Sequence, residues 1–216
     1  MTAVLPCRVA VAGAELRMLV LAADGGGCVG VDLESGAFVR ATYHGDDGPL
    51  SAFDVVSGQI ATSAAPPDVS RPETVVLERP PRCQGRLTPR RAERWLLPLQ
   101  HPRGRHLLDL AGPAAPYWTL AGDRPSVTLV EMVAGPQVRR EPLGFDCRFG
   151  WRGTNLALPL ADRRLGARLR EVGWPRYSSR DLEQLLGHRV RRLLVVLSPP
   201  HNGYCYKVVA ALLPGG

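Results

Sequence analysis

Residues His188 to Leu213 read HRVRRLLVVLSPPHNGYCYKVVAALL. Within them, Arg191–Ser198 is a leucine- and valine-rich run of strand length, and Tyr204–Leu213 is a second. Between the two, Pro199 and Pro200 stop the first run, and Asn202-Gly203 offers the positive φ of a tight return. This spacing predicts an antiparallel hairpin that the rest of the chain is built to cover. Alternation along its second strand places Tyr204 and Tyr206 on one face and Lys207 on the other.

Just upstream, Ser178–Gly187 (SSRDLEQLLG) carries a serine cap, acids in the first turn, leucines at 182, 185 and 186 and a closing glycine, which predicts a short helix. Leu165–Val172 is expected to be a short helix or an irregular segment. Phe145–Trp151 (FDCRFGW) alternates, Gly153-Thr154-Asn155 turns it, and Leu156–Leu160 returns. Ser126–Val133 is a further strand, followed by a turn at Gly135-Pro136. Ala111–Pro116 (AGPAAP) reads as a linker, which divides the chain into residues 1–114 and 115–216.

The first half opens as a meander. Leu16–Ala23, Cys28–Leu33 and Ala37–Tyr43 are strands separated by Gly25-Gly26-Gly27 and Glu34-Ser35-Gly36. The triple glycine lacks the Lys-Ser/Thr of a phosphate loop, and no helical pattern follows it, so it is expected to be a hairpin turn. Phe53–Ile60 and Thr74–Leu77 are further strands, the second cut off by Arg79-Pro80-Pro81. Thr88-Pro89 then caps a helix whose apolar side is Trp95, Leu96, Leu97 and Leu99, with Pro98 ending it.

Net charge is +7, and of the 27 basic residues 26 are arginine. Residues 1–50 hold three arginines against six acids, whereas residues 151–216 hold ten arginines and Lys207 against four. Arg79 to Arg105 holds eight arginines and one acid, Glu93. Charge polarised in this way suits phosphate binding; a solvated, codon-biased surface is the alternative. The five cysteines are scattered, as befits reduced thiols rather than disulfides or a zinc site. The N-terminus lacks a signal-peptide pattern and no run is long enough to span a membrane, so a cytoplasmic protein without membrane association is expected.

In the second half the order is three strands, helix, two strands; the first half has strands first and a helix late. A five-stranded Greek-key OB barrel requires such an order, and the expected fold is therefore mainly β: two small OB-like barrels in tandem, each with a short helix. FDVVSGQI (53–60), RPETVVL (71–77), FDCRFGWRGTNLALPLADRRL (145–165) and LLVVLSPPHNGYCYKVVAALLP (193–214) resemble the dual OB-containing domain of bacterial proteins, several of them thought to belong to antiviral or mobile-element systems. The resemblance runs from about Phe53 to Leu213 as short islands, and the closing hairpin is its most specific part. It implies two OB barrels and nucleic-acid binding, and it carries no catalytic residues.

Single-strand binders stack bases on rings and meet phosphates with guanidinium groups. The candidates of those two types are Arg90, Arg91, Arg94, Arg103 and Arg105 in the first half. In the second they are Arg152, Arg170, Trp174, Arg176, Tyr177, Arg191, Tyr204, Tyr206 and Lys207. Trp95 and Trp151 are expected in the core. No metal site is expected: His44 with Asp46 and Asp47, and His101 with His106, lack ligand spacing. No cofactor motif and no Gly-x-Ser-x-Gly elbow is present. His201 with Tyr206 and Lys207 is an acid–base grouping of the right residue types, with no spacing that points to a site. The C-terminal Gly215-Gly216, similar to the tail of ubiquitin-like modifiers, reads as a frayed end. The expectation is a non-catalytic module binding DNA or RNA, single strands included, as an accessory part of a larger complex in bacterial defence or nucleic-acid processing. The alternatives are a protein-interaction module with no nucleic-acid binding and an enzyme with an unrecognised site.

Overall fold

The computed structural model describes residues 11–45, 48–62, 68–101, 104–122 and 124–215. Its first half begins with β1 (Glu15–Ala23), β2 (Gly27–Asp32) and β3 (Phe38–Thr42), an antiparallel meander. The Asp32 carboxylate holds the β2–β3 turn by accepting from the amides of Glu34 and Ser35 and from the Ser35 hydroxyl. β4 (Asp54–Gln59) returns antiparallel to β1, β5 (Thr74–Val76) runs parallel to β3, and β6 (Arg82–Arg86) lies antiparallel to β4. A bridge between Ile60 and Leu77 joins the far end of β4 to β5, so the sheet curls round on itself. Leu16, Met18, Val20, Val39, Val56 and Leu77 fill the space it encloses. At Gly30 a Cβ would fall 2.0 Å from the Leu19 carbonyl oxygen, so only glycine lets β1 and β2 cross there.

Helix α1 (Pro89–Leu96) starts as its sequence requires, with the Thr88 hydroxyl accepting from the Arg91 amide and proline at the first position. Pro98 does not stop the chain but sits in a 3-10 turn over Leu97–Leu99. The buried side of these two elements is Ala92, Leu96 and Leu99, while Leu97 is exposed. Ala111–Pro116, expected as a linker, carries β7 (Ala114–Pro116).

The second half consists of β8 (Val127–Glu131), β9 (Ala134–Glu141), β10 (Gly144–Trp151), β11 (Thr154–Pro159), α2 (Arg163–Val172), β12 (Arg176–Tyr177), α3 (Ser179–Leu186), β13 (Val190–Leu197) and β14 (Tyr204–Pro214). Asp162 caps α2, and a reciprocal Ser178–Asp181 box caps α3; Gly173 and Gly187 close them in the left-handed region. The strands form two curled sheets, ordered β11-β10-β9-β12 and β7-β14-β13-β8, which make a half-barrel. β8 pairs antiparallel with β13, and a parallel bridge between Leu160 and Val209 links the end of β11 to β14. Val138, Phe145, Cys147, Phe149, Leu169 and Leu193 pack in the space between these sheets. Gly135-Pro136, expected as a turn, lies inside β9.

The terminal hairpin is present, turned by Asn202 (φ 50°) and Gly203 (φ 79°). Both of its faces are buried along Arg192–Leu197 of β13 and the end of β14. Leu193, Val195, Val209 and Leu212 point into the second-half core. Leu194, Val196, Ala211 and Leu213 point the other way, into a separate core shared with Leu19, Leu21, Val31 and Phe38 of the first half and with α1. That shared core is also why every residue of β2 is buried, although its alternation predicts a half-buried strand: Cys28 faces inward, and Val29 and Val31 face the seam. Two polar links cross the same seam. Glu73, wholly buried, accepts from Arg40 and from both the amide and hydroxyl of Ser126. Arg192 of β13 donates to both carboxylate oxygens of Glu93 on α1. Among the described residues no helix is long and apolar enough to cross a membrane.

Candidate functional site

β14 alternates from its first residue. Cys205, Lys207 and Val209 turn inward and are buried, whereas Tyr204, Tyr206 and Val208 turn outward. A bulge opposite Leu194 and Val195 leaves Ala210 outside the ladder and keeps it on this outer side with Val208. The outer face of one strand is therefore a row of two exposed rings followed by two small apolar side chains, roughly 20 Å from Tyr204 to Ala210 at the usual rise per residue. Tyr204 is 41% and Tyr206 38% exposed. Trp118, 70% exposed, packs edge-on against Tyr204 with ring centroids 5.9 Å apart. Asn202-Gly203 lets it do so, because a Cβ on Gly203 would come within 3.1 Å of that indole.

Beyond Tyr206 the row runs into the seam between the halves. Ser198 hydrogen-bonds the Tyr206 backbone and lines a cleft of about 380 Å³ whose floor is Val196, Val208, Ala210 and Ala22. A second hollow of about 340 Å³ adjoins it, sharing Ala22, Ala23, Asp162 and Ala210. Arginines stand at both ends: Arg40 and Arg71 line the first hollow, and Arg86, Arg164 and Arg168 the second. Arg40 is committed to Glu73 and Ser126, and its burial pulls its pKa below the ordinary arginine value, with Glu73 opposing. Arg71 stands 3.7 Å from Asp68, and its buried Nε has no acceptor among the described residues. Asp162 also lines the cleft, its carboxyl pushed up by burial and drawn back by the amides it caps in α2.

The residues expected from the sequence divide into those that reach solvent and those that do not. Tyr204 and Tyr206 are exposed and adjacent, as their alternation requires. Lys207 is a correction: it is 4% exposed, its ammonium donates to the Leu110 carbonyl, and burial lowers its pKa to about 8. Tyr177 is a second correction. Its ring is buried beneath Trp174 (5.7 Å, stacked) and its hydroxyl donates to the Leu169 carbonyl. Trp174 and Arg176 are exposed around it, with Arg170 on the last turn of α2. Arg90, Arg91 and Arg94 are exposed on α1, and Arg191 is exposed within β13, where a second bulge leaves it out of the pairing with β14. Arg152 is exposed with its guanidinium 4.8 Å from the centre of the buried Trp151 ring, and Trp95 is half-buried. Arg105 is exposed; Arg103, like Asp46 and Asp47, lies outside the described residues.

Sequence reasoning missed Trp118, Arg71, Arg164 and Arg168. A readable signal was there for the row leading to the cleft: Tyr204, Tyr206 and Val208 are spaced two apart. Nothing local marks the arginines, which come from loops and a helix far away in the chain. Neither a scan against protein-family models, nor a search of curated proteins, nor a search of solved structures finds a match to this chain.

Proposed function

We propose that the chain is a non-catalytic nucleic-acid-binding module of two OB-like barrels, of the dual OB-containing kind, and that it serves as an accessory component of a bacterial defence or nucleic-acid-processing system. Connectivity supports the fold part of this reading. In the first half, β1-β2-β3 is a meander, β5 is parallel to β3, and β4 is antiparallel to β1 and bridged to β5. In the second, β8 and β9 act as one bent first strand, β10 and β11 follow, α2 and α3 intervene, and β13 and β14 return. What supports the reading is that the pairings of each half, with one isolated bridge apiece, fit the order 1-2-3-5-4-1 of an OB barrel. The helices differ from the simple expectation. The first half places α1 after its last strand, where it covers the seam, and the second half has two helices between its third and fourth strands.

The observation that carries the binding reading is the outer face of β14, where Tyr204 and Tyr206 stand in line beside Trp118 and lead to an arginine-flanked cleft. Rings accept bases of any sequence, and arginines at the margin meet the phosphates. The test is fluorescence anisotropy with labelled DNA and RNA oligonucleotides over a salt series. Binding at about 50 mM salt is expected, weakening linearly in log–log form as salt rises. Tyr204→Ala and Tyr206→Ala are each expected to cost about 1–3 kcal/mol. No binding of any oligonucleotide at that salt removes the reading and leaves the same aromatic face as a protein-docking surface.

A further inference from the structure

We infer that the cleft between the halves takes an unpaired nucleotide, so that the ligand is a single strand whose bases stack on Tyr204 and Tyr206 and whose next residue is buried against Val208 and Ala210. This rests on the nucleic-acid reading of the β14 face and adds what that face binds and where.

The two rings and two residues of the floor, Val208 and Ala210, lie on one face of β14, and Ser198, which bonds the Tyr206 backbone, lines the cleft, so the rings and the cleft adjoin. Size comes next. At about 380 Å³ the cleft falls in the range of small-molecule pockets, large enough for one base with its sugar and far too small for a duplex. Its floor is apolar and low because it is paved with Ala22, Ala210 and Val208; larger side chains there would fill it. Such a floor suits the flat, weakly polar face of a base.

Charge completes the fit. Arg71 lines the cleft with a partly exposed guanidinium whose ion pair with Asp68 is long, at 3.7 Å, which leaves a cation at the cleft wall. A phosphodiester oxygen is an acceptor of the right charge. Asp24 and Asp162 also line the cleft and would repel a multiply charged anion, but they offer acceptors to sugar hydroxyls or base amino groups. The mixture favours a nucleotide within a strand, carrying one negative charge, over a free polyphosphate. The cleft is preformed, because the Glu73–Arg40–Ser126 and Arg192–Glu93 links tie its two walls together.

The test compares anisotropy titrations of a single-stranded homopolymer oligonucleotide, in both DNA and RNA form, with a blunt duplex hairpin. Wild-type protein is expected to bind the single strand at least about tenfold more tightly. Two variants probe the cleft alone. Ala161→Trp projects an indole from an exposed position on its wall, and Arg71→Gln removes the cation from the cleft wall. Each is expected to weaken single-strand binding about tenfold while leaving hairpin binding and the thermal midpoint unchanged. If Tyr206→Ala weakens binding but both cleft variants bind as wild type, or if hairpin and single strand bind equally, the cleft inference is overturned and the ring face alone survives. If the wild type binds neither oligonucleotide at low salt, the broader nucleic-acid reading falls instead.

Discussion

Two buried charges show how differently a single residue acts when it has a partner and when it has only a carbonyl. Glu73 receives three hydrogen bonds, one of them from Arg40, so its removal leaves the Arg40 Nε and the Ser126 amide without acceptors and the guanidinium without its counter-charge. Glu73→Ala is expected to cost about 3–5 kcal/mol in urea denaturation; a loss below about 1 kcal/mol would mean that the seam is wet. Lys207 is the opposite case. Its folded pKa of about 8 lies below the unfolded value near 10.5, so below pH 8 both states carry the proton and the folded state bears the full cost of burying the charge. From pH 8 to 10.5 the unfolded state binds more protons and stability rises with pH. Lys207→Met is therefore expected to stabilise the protein at pH 7, by less than the full shift implies because the Leu110 carbonyl loses its donor. That advantage should shrink towards zero as pH passes 10, as read from paired denaturation curves. Cys147, pushed up to about 12 by burial, and buried Cys28 and Cys205 are expected to resist thiol reagents in the native state, while exposed Cys83 reacts. Native-state thiol titration of single-cysteine variants distinguishes them.

At the scale of elements, β13 decides more than its eight residues suggest. Leu193 and Leu194 are neighbours in sequence but belong to different cores, one within the second half and one at the seam. Leu193→Ala and Leu194→Ala are each expected to cost about 2–5 kcal/mol, and both should shift the unfolding of first-half and second-half probes together. A variant that melts one half and spares the other would show that the seam core contributes little. The elements that could be read from sequence were those with strong local chemistry. The Asn202-Gly203 hairpin, the Thr88 and Ser178 caps and the Phe145–Cys147–Phe149 alternation all appear where their patterns place them. β6 was unreadable because RCQGR is exposed along its whole length and has no apolar period; only pairing with β4 makes it a strand. β7 was hidden in AGPAAP, where three residues pair with β14 against every propensity. Lys207 illustrates the same limit at the candidate site. Its place on the inner face was legible from alternation, but not that Leu110 would fold over it.

For the molecule as a whole, the seam makes the two halves one cooperative body. Thermal unfolding followed by calorimetry and by circular dichroism is expected to give a single, coincident transition, because the hairpin is a wall of both cores. The arginine surplus takes on a different meaning at this scale. Some guanidinium groups hold the structure together, as Arg40 and Arg192 do, while Arg71, Arg164 and Arg168 collect beside the cleft. Composition alone does not separate those roles, since both depend on where distant segments meet.

The doubly buried hairpin also sets the timetable of folding. The seam core joins Leu19 to Leu213, nearly the two ends of the described chain, and closing contacts so far apart is slow. Until the segment through Leu213 has left the ribosome, the strands around Leu19, Val31 and Phe38 present a bare apolar surface with nothing to lie against. A nascent chain in that state is a natural client for chaperones, and one that stalls before the hairpin will aggregate rather than leave a working first half behind.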